Sequence, residues 1–277
     1  AMSLHSPIND AASTPHGITK IRYYQCGYCV NEMSHIYKGY PKEKRIFPAG
    51  VFLLEHATEG RILFDTGYSR DIFTAGWRSK LYQALNPATV TAEDELPAQL
   101  EKDGIAPESI NYVILSHLHP DHIGGVKFFP QSTFVLSQES YDVFRTPKLA
   151  DLVFPSFLPN WFAEKVHVVD SHRMLLDTNT GVEGHDFFGD GSLLLTGLNG
   201  HARGQVGAYL PGQLLLAADA SWGTDLIDYT DSMRFPARLI QADYGEYKRT
   251  VGRVKHLREM NIDVYFSHER YSVKDIL

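Results

Sequence analysis

Cysteine is almost absent: only Cys26 and Cys29 occur among 277 residues, which excludes a disulfide framework and suits a reducing compartment. Long apolar runs are missing too. The longest, residues 51–54 and 214–218, fall far short of the roughly 20 needed to cross a bilayer, so no membrane span is expected. Positive charge is also in deficit, with 26 Lys and Arg against 33 Asp and Glu and a net charge of −7. Nucleic acid, which is gripped through clustered cations, is therefore not an expected partner. The first residues lack the basic start and apolar block of a secretory signal. Residues 1–15 read instead as a flexible arm begun by an expression scar, and residues 16–277 as one domain in the cytoplasm.

Apolar residues make up 43% of the chain and aromatics 12%, enough to fill one large α/β core. β-forming runs at residues 18–24, 51–56 and 61–65 predict an opening strand meander. Further strands are expected at 111–116, 133–136, 166–169, 192–196, 207–210, 214–218 and 263–266, with Pro211-Gly212 turning one hairpin. Helical spacing predicts a short helix at 97–102 and a longer one at 246–260, where Tyr247, Val251, Val254 and Leu257 share a face and Asn261 marks the stop. This order points to sheets with helices packed outside them. The Cys-x-x-Cys pair reads as two ordinary cysteines on a loop after the first strand, with a redox pair or half a metal site as the alternative. Residues 141–162 carry Phe144, Phe154, Phe157, Trp161 and Phe162 among several prolines. That segment reads as a lid over an apolar group, with plain packing as the alternative.

The densest chemistry is His117-Leu118-His119-Pro120-Asp121-His122. In an extended stretch, residues two apart point to the same side, so His117 and His119 can grip one ion. Pro120 bends the path and lets Asp121 and His122 face a neighbouring ion. Imidazoles with a carboxylate suit zinc and other borderline divalent metals. The strand at 111–116 stops at His117, so the chemistry starts at a strand end.

This run, followed by Gly124-Gly125, resembles the signature of the metallo-β-lactamase superfamily. The similarity extends to Asp65-Thr66-Gly67, to Gly200-His201, to Asp219 after the strand at 214–218, and to Phe266-Ser267-His268. The resemblance implies an αββα four-layer sandwich with two divalent metal ions at one edge. It assigns His117, His119 and His201 to one ion and Asp121, His122 and His268 to the other, with Asp219 and a hydroxide bridging them. Asp121 and Asp219 would share the proton handling during hydroxide attack on an electrophilic carbonyl. Asp65 would hold a ligand histidine by its other ring nitrogen, the alternative being a turn-forming aspartate before Thr66-Gly67. Zinc is the expected metal, with manganese, iron and cobalt able to occupy the same ligands.

Within the superfamily the chain is most similar to the N-acyl homoserine lactonase branch, which implies a small-molecule lactone or related ester as substrate. That branch carries an Asp-Ala-Ser-Tyr run where this chain reads Asp219-Ala220-Ser221-Trp222. An indole donates a hydrogen bond but neither accepts one nor shuttles a proton. Trp222 is thus read as a substrate contact or a pocket wall, and Tyr28 and Phe157 as further substrate contacts with packing roles as the alternative. Rival readings of the same ligands are a glyoxalase II-like thioesterase, an organophosphate or phosphodiester hydrolase, and a metal-containing ligand-binding or sensor protein. The oligomeric state is left open, a homodimer included.

Overall fold

The computed structural model describes residues 16–169 and 171–277. The arm read at residues 1–15 lies outside the described residues. Strands β1 (Ile18–Glu32), β2 (Lys44–His56), β3 (Gly60–Phe64), β4 (Ala88–Thr89), β5 (Ile110–Ile114), β6 (Thr133–Leu136) and β7 (Val166–Val168) form a sheet ordered β4-β1-β2-β3-β5-β6-β7. Strands β8 (Met174–Asp177), β9 (Val182–Asp186), β10 (Leu194–Gly197), β11 (Val206–Leu210), β12 (Leu214–Leu216) and β13 (Asp263–Tyr265) form a second, ordered β13-β12-β11-β10-β9-β8.

Alternation along the strands builds the layers. In β2, Phe52 and Leu54 face Ile62 and Phe64 of β3 and Leu214, Leu216 and Ala208 of the other sheet, closing the core between the sheets. Their neighbours Val51 and Leu53 point the opposite way, into a second core shared with the helices. The helix Tyr244–Glu259 covers part of that face: Tyr247, Thr250, Val251, Val254 and Leu257 are buried, and the Asp243 side chain caps its start through Glu246 N at 2.9 Å. Burying each of these aliphatic side chains contributes about 1.5–3 kcal/mol. The expected αββα arrangement is thus the one observed.

Two local expectations are corrected, and two strands are added to those expected. The first strand runs on to Glu32, so Cys26 and Cys29 are not on a loop but inside β1, both buried as free thiols. Burial pushes the Cys29 thiol up to about 11, against a lowering pull from His268. A bulge between Gln25 and Tyr28, with Gly27 at φ 79°, lets β1 continue past Pro48 of its partner strand. The aromatic segment is no separate lid: it opens with the helix Gln138–Arg145, and Phe154, Phe157 and Phe162 are buried in the core. Packing explains those rings, because Phe162 sits edge-on to Phe134 and Phe144. Strands β8 and β9 were not anticipated, since Met174–Asp177 is mostly exposed and Val182–Asp186 carries two acids and a histidine.

Candidate metal centre

Five chain segments end at one edge of the sandwich. β5 leads directly through Leu115 and Ser116 to His117, β3 to Asp65, β10 to His201, β12 to Asp219 and β13 to His268. Two of these strand ends are in the left-handed region, Asp65 at φ 65° and Ala218 at φ 50°. Both turn the chain sharply where a carboxylate is presented. Gly124 and Gly125 let the histidine-rich loop press on the Asp65 turn. A Cβ at Gly125 would lie 2.6 Å from Thr66 O, while Thr66 Oγ1 donates to His122 O at 2.7 Å.

Outward hydrogen bonds fix the imidazoles. His268 Nδ1 donates to Pro48 O at 2.8 Å, His201 Nδ1 to Gln241 Oε1 at 2.8 Å, and His122 Nδ1 to Asp65 Oδ2 at 2.7 Å. Ser116 gives its hydroxyl proton to Asp65 Oδ2 at 2.7 Å, so its oxygen accepts from His117 Nδ1 at 3.0 Å. Each of these four rings therefore keeps its proton on Nδ1 and turns the Nε2 lone pair inward. His119 presents Nδ1, which lies 3.1 Å from both His117 Nε2 and His201 Nε2. Asp219 stands between the two sets. Its Oδ2 is 3.2 Å from His201 Nε2 and 2.9 Å from His268 Nε2, its Oδ1 3.2 Å from His122 Nε2. Asp121 Oδ2 completes the second set, 3.2 Å from His268 Nε2.

This arrangement fits cations. Lone pairs aimed at one another repel, and two of the inward atoms, His122 Nε2 and Asp219 Oδ1, are buried without a hydrogen-bond partner among the described residues. The donor atoms of His117, His119 and His201 lie within 4.8 Å of one another, as do those of Asp121, His122 and His268 and those of His117, His122 and Asp219. Nitrogen and carboxylate oxygen are the donors that zinc-type ions take.

Electrostatics separate the two sets. Burial pushes His119 down to about 3, with nearby His201 adding to the shift, and holds His117 well below its ordinary value. His122 and His268 are raised against the pull of burial by the carboxylates of Asp219 and Asp121, which call for positive charge at the inward Nε2 atoms, a proton or the cation that would take its place. Desolvation would raise Asp121, yet His122 and His268 hold it down at about 2, and Asp219 is likewise held well below the carboxylate range.

All seven candidate ligands and Asp65 thus meet at one place. Trp222 joins them, its ring 6.0 Å from that of His201 and nearly perpendicular to it. Phe157 is buried against Phe154, and Tyr28 is half-buried in β1 opposite Pro48 and Thr89. Sequence reading missed the supports Ser116, Gln205 and Gln241. Their common mark is a polar side chain that is fully or nearly fully buried, Gln205 accepting from Asp219 N at 3.2 Å.

Asp65 offers a test of those outward bonds. Asparagine tolerates a positive φ, so Asp65→Asn keeps the turn but sets an amide N–H₂ against donors from Ser116 and His122. Metal affinity is expected to fall about 10-fold to 100-fold, read as loss of metal on dialysis against a graded chelator. Unchanged retention would remove Asp65 from the supporting shell.

Known proteins share this fold. The model of the metallo-β-lactamase superfamily matches residues 47–267. The N-acyl homoserine lactonase AttM of Azorhizobium caulinodans is 30% identical over 224 residues, covering 76% of this chain and 78% of that protein. A Bacillus thuringiensis AiiA variant solved with N-decanoyl-L-homoserine in its active site superposes with a TM-score of 0.69 at 20% identity, over 91% of this chain and 94% of that one. AidC, a dizinc quorum-quenching lactonase solved with its product, gives a TM-score of 0.64 at 17% identity, over 94% and 96%.

Proposed function

Because the chain belongs to the metallo-β-lactamase superfamily, we propose that it is a metal-dependent hydrolase that opens an acylated lactone, residues 16–277 acting as one domain. The observation that carries this reading is the inward convergence of five imidazole nitrogens and two carboxylates, four of the five tautomers set from behind. His117, His119 and His201 would hold one divalent cation, Asp121, His122 and His268 the other, and Asp219 would serve both. Zinc is our first choice, with manganese, iron or cobalt compatible with the same donors. When bound, such a pair supplies Lewis acidity and lowers the pKa of water from about 15.7 towards 7.

The chain's own residues do the rest. Asp219, with 3% of its side chain exposed, is enclosed by His122, His201 and His268 and holds its charge at the centre. Asp121, at 11%, is the more open carboxylate. We assign it the first contact with the proton that water releases: held down at about 2, Asp121 accepts a hydrogen bond and passes the proton on, with His268 Nε2 at 3.2 Å from its Oδ2. Trp222 forms a wall beside His201 and can only donate, through its indole nitrogen. Tyr28 and Phe157 are further candidates for the substrate side. Two free thiols fit a reducing cytoplasm. Among the described residues no helix is long and apolar enough to cross a membrane.

Elemental analysis of protein purified without added metal, paired with rates on a panel, tests this. The panel holds a long-chain acyl homoserine lactone, a short lactone, an aromatic lactone, a thioester and a phosphotriester. Two divalent ions per chain and fastest turnover of a lactone are expected. A thioester or phosphotriester turned over faster, or full metal without turnover, would replace the reading. Trp222→Phe removes the indole N–H from that wall. It should shift preference among the lactones by about 10-fold while metal content stays unchanged, a loss of roughly 1.4 kcal/mol of selective binding.

A further inference from the structure

Among the described residues Trp222 makes no hydrogen bond of its own. Its place beside His201 is therefore set by the residues that flank it. On one side the buried Ser221 hydroxyl bridges across the tryptophan, donating to Gly223 O at 2.9 Å. On the other the chain enters the 3₁₀ helix Thr224–Ser232, whose first N–H groups need acceptors. A capping side chain would normally come from the preceding residue, but that residue is Gly223. Nothing larger fits there, because a Cβ at Gly223 would lie 2.5 Å from Arg45 Nη2.

The missing cap comes from a distant segment. Glu269, the residue after His268, accepts from Thr224 N at 3.0 Å through Oε1 and from Thr224 Oγ1 at 2.8 Å through Oε2. A carboxylate at a helix start is also favoured by the helix dipole. The Tyr271 hydroxyl donates to the same Oε2 at 2.9 Å, and its ring stands edge-on to Tyr23 at 5.2 Å, which steadies the half-buried carboxylate. Thr224 lies two residues beyond Trp222 and five beyond Asp219, so these bonds fasten the loop after β12 to the loop after β13. Arg45 holds the next residue, with Nη1 2.8 Å and Nη2 3.0 Å from the Asp225 carboxylate. That side chain is 54% exposed, and water weakens such a pair. Glu269 is the firmer of the two ties.

We propose that Glu269 is a positioning residue for the substrate wall: by capping Thr224 it holds Trp222 against His201 and so sets which lactones fit. The inference rests on the hydrolase reading of the centre. The side-chain bonds of Glu269 run to Thr224 and Tyr271 and none runs to an inward donor atom. Its loss should therefore move the wall and leave the cations in place.

The sequence holds three tryptophans, so Trp77→Phe with Trp161→Phe leaves Trp222 as the sole emitter, a reporter that needs no substrate. In that background Glu269→Ala should shift the emission to the red and speed its quenching by acrylamide. Glu269→Gln keeps an oxygen for Thr224 N and offers an N–H to the Thr224 hydroxyl, so it should restore both towards wild type. On the best lactone of the panel, Glu269→Ala should raise KM about 10-fold with kcat and metal content near wild type, the mark of lost uniform binding. In a Trp222→Ala background the same change should leave KM unmoved, since nothing remains to be positioned. Thr224→Val, which removes only the bond to Oε2, should fall between wild type and Glu269→Ala. Wild-type quenching in Glu269→Ala, or in Thr224→Val if the alanine variant does not fold, would overturn the proposal. So would loss of metal in step with kcat, or a KM effect that persists without Trp222. A wild-type protein that turns over no lactone overturns the hydrolase reading instead, and the fluorescence then decides alone whether Glu269 holds Trp222.

Discussion

Asp219→Ala is expected to bring metal content below one ion per chain and to lower kcat/KM at least about 1000-fold, roughly 4 kcal/mol of transition-state stabilisation. The size follows from position. Asp219 Oδ1 lies 3.2 Å from His122 Nε2, and Oδ2 lies 3.2 Å from His201 Nε2, 2.9 Å from His268 Nε2 and 4.0 Å from His117 Nε2. It is the acceptor that both groups of imidazoles share, so its loss leaves lone pairs facing lone pairs with Asp121 as the remaining carboxylate. Removing one preorganised electrostatic contact elsewhere costs about 100-fold to 1000-fold, and the loss of Asp219, which would serve both cations in the proposed centre, should exceed that. Asp121→Ala removes a carboxylate from one group only. It should leave one ion in place, which separates the two roles by elemental analysis. An Asp219→Ala protein that keeps both ions and its rate would refute the shared position.

The part of this centre that could be read from the sequence was the part packed into consecutive residues. His117 to His122 announce themselves because four donors share six positions, whereas His201, Asp219 and His268 are single residues that gain meaning only from likeness to a family. Ser116, Gln205 and Gln241 left no local trace, since burial and not spacing sets their role. Strand positions were legible where apolar residues cluster, as in β5 and β12, and illegible where a proline or a charge interrupts them. Pro48 hid the first half of β2, and the exposed Met174–Asp177 hid β8. The helix Trp77–Leu85 escaped because its apolar residues face outward, which inverts the usual sign of the pattern. The aromatics of residues 141–162 were assigned to a lid for the opposite reason: prolines break the segment into short turns, and composition cannot say that its rings point into the core.

Gly200→Ala carries the largest expected effect on stability. Gly200 adopts φ 124°, and a Cβ there would lie 2.2 Å from Tyr247 N and 2.3 Å from Tyr247 Cα. Those are backbone atoms of the helix Tyr244–Glu259, whose first turn is held by Tyr247 N donating to Asp243 O at 2.8 Å. The loop is stitched to that helix on both sides, with Asp243 N donating to Gly200 O at 2.9 Å, Ala242 N to His201 O at 3.0 Å and Thr250 Oγ1 to Asn199 O at 2.6 Å. Neither partner can step aside without breaking these bonds. Backbone strain of about 1–3 kcal/mol and overpacking of about 1–3 kcal/mol then act together. A net loss of about 3 kcal/mol corresponds to a melting temperature lower by roughly 6–12 °C in a chain of this size. Because His201 is the next residue, its Nε2 should also leave the position 3.1 Å from His119 Nδ1, and metal affinity should fall with stability. Gly252→Ala is the control within the same helix. Nothing lies within 4 Å of a Cβ at Gly252, so alanine there should stabilise by about 0.5–1 kcal/mol. If calorimetry gave Gly200→Ala the wild-type melting temperature and metal content, the close approach of the His201 loop to this helix would not be what holds the third histidine in place.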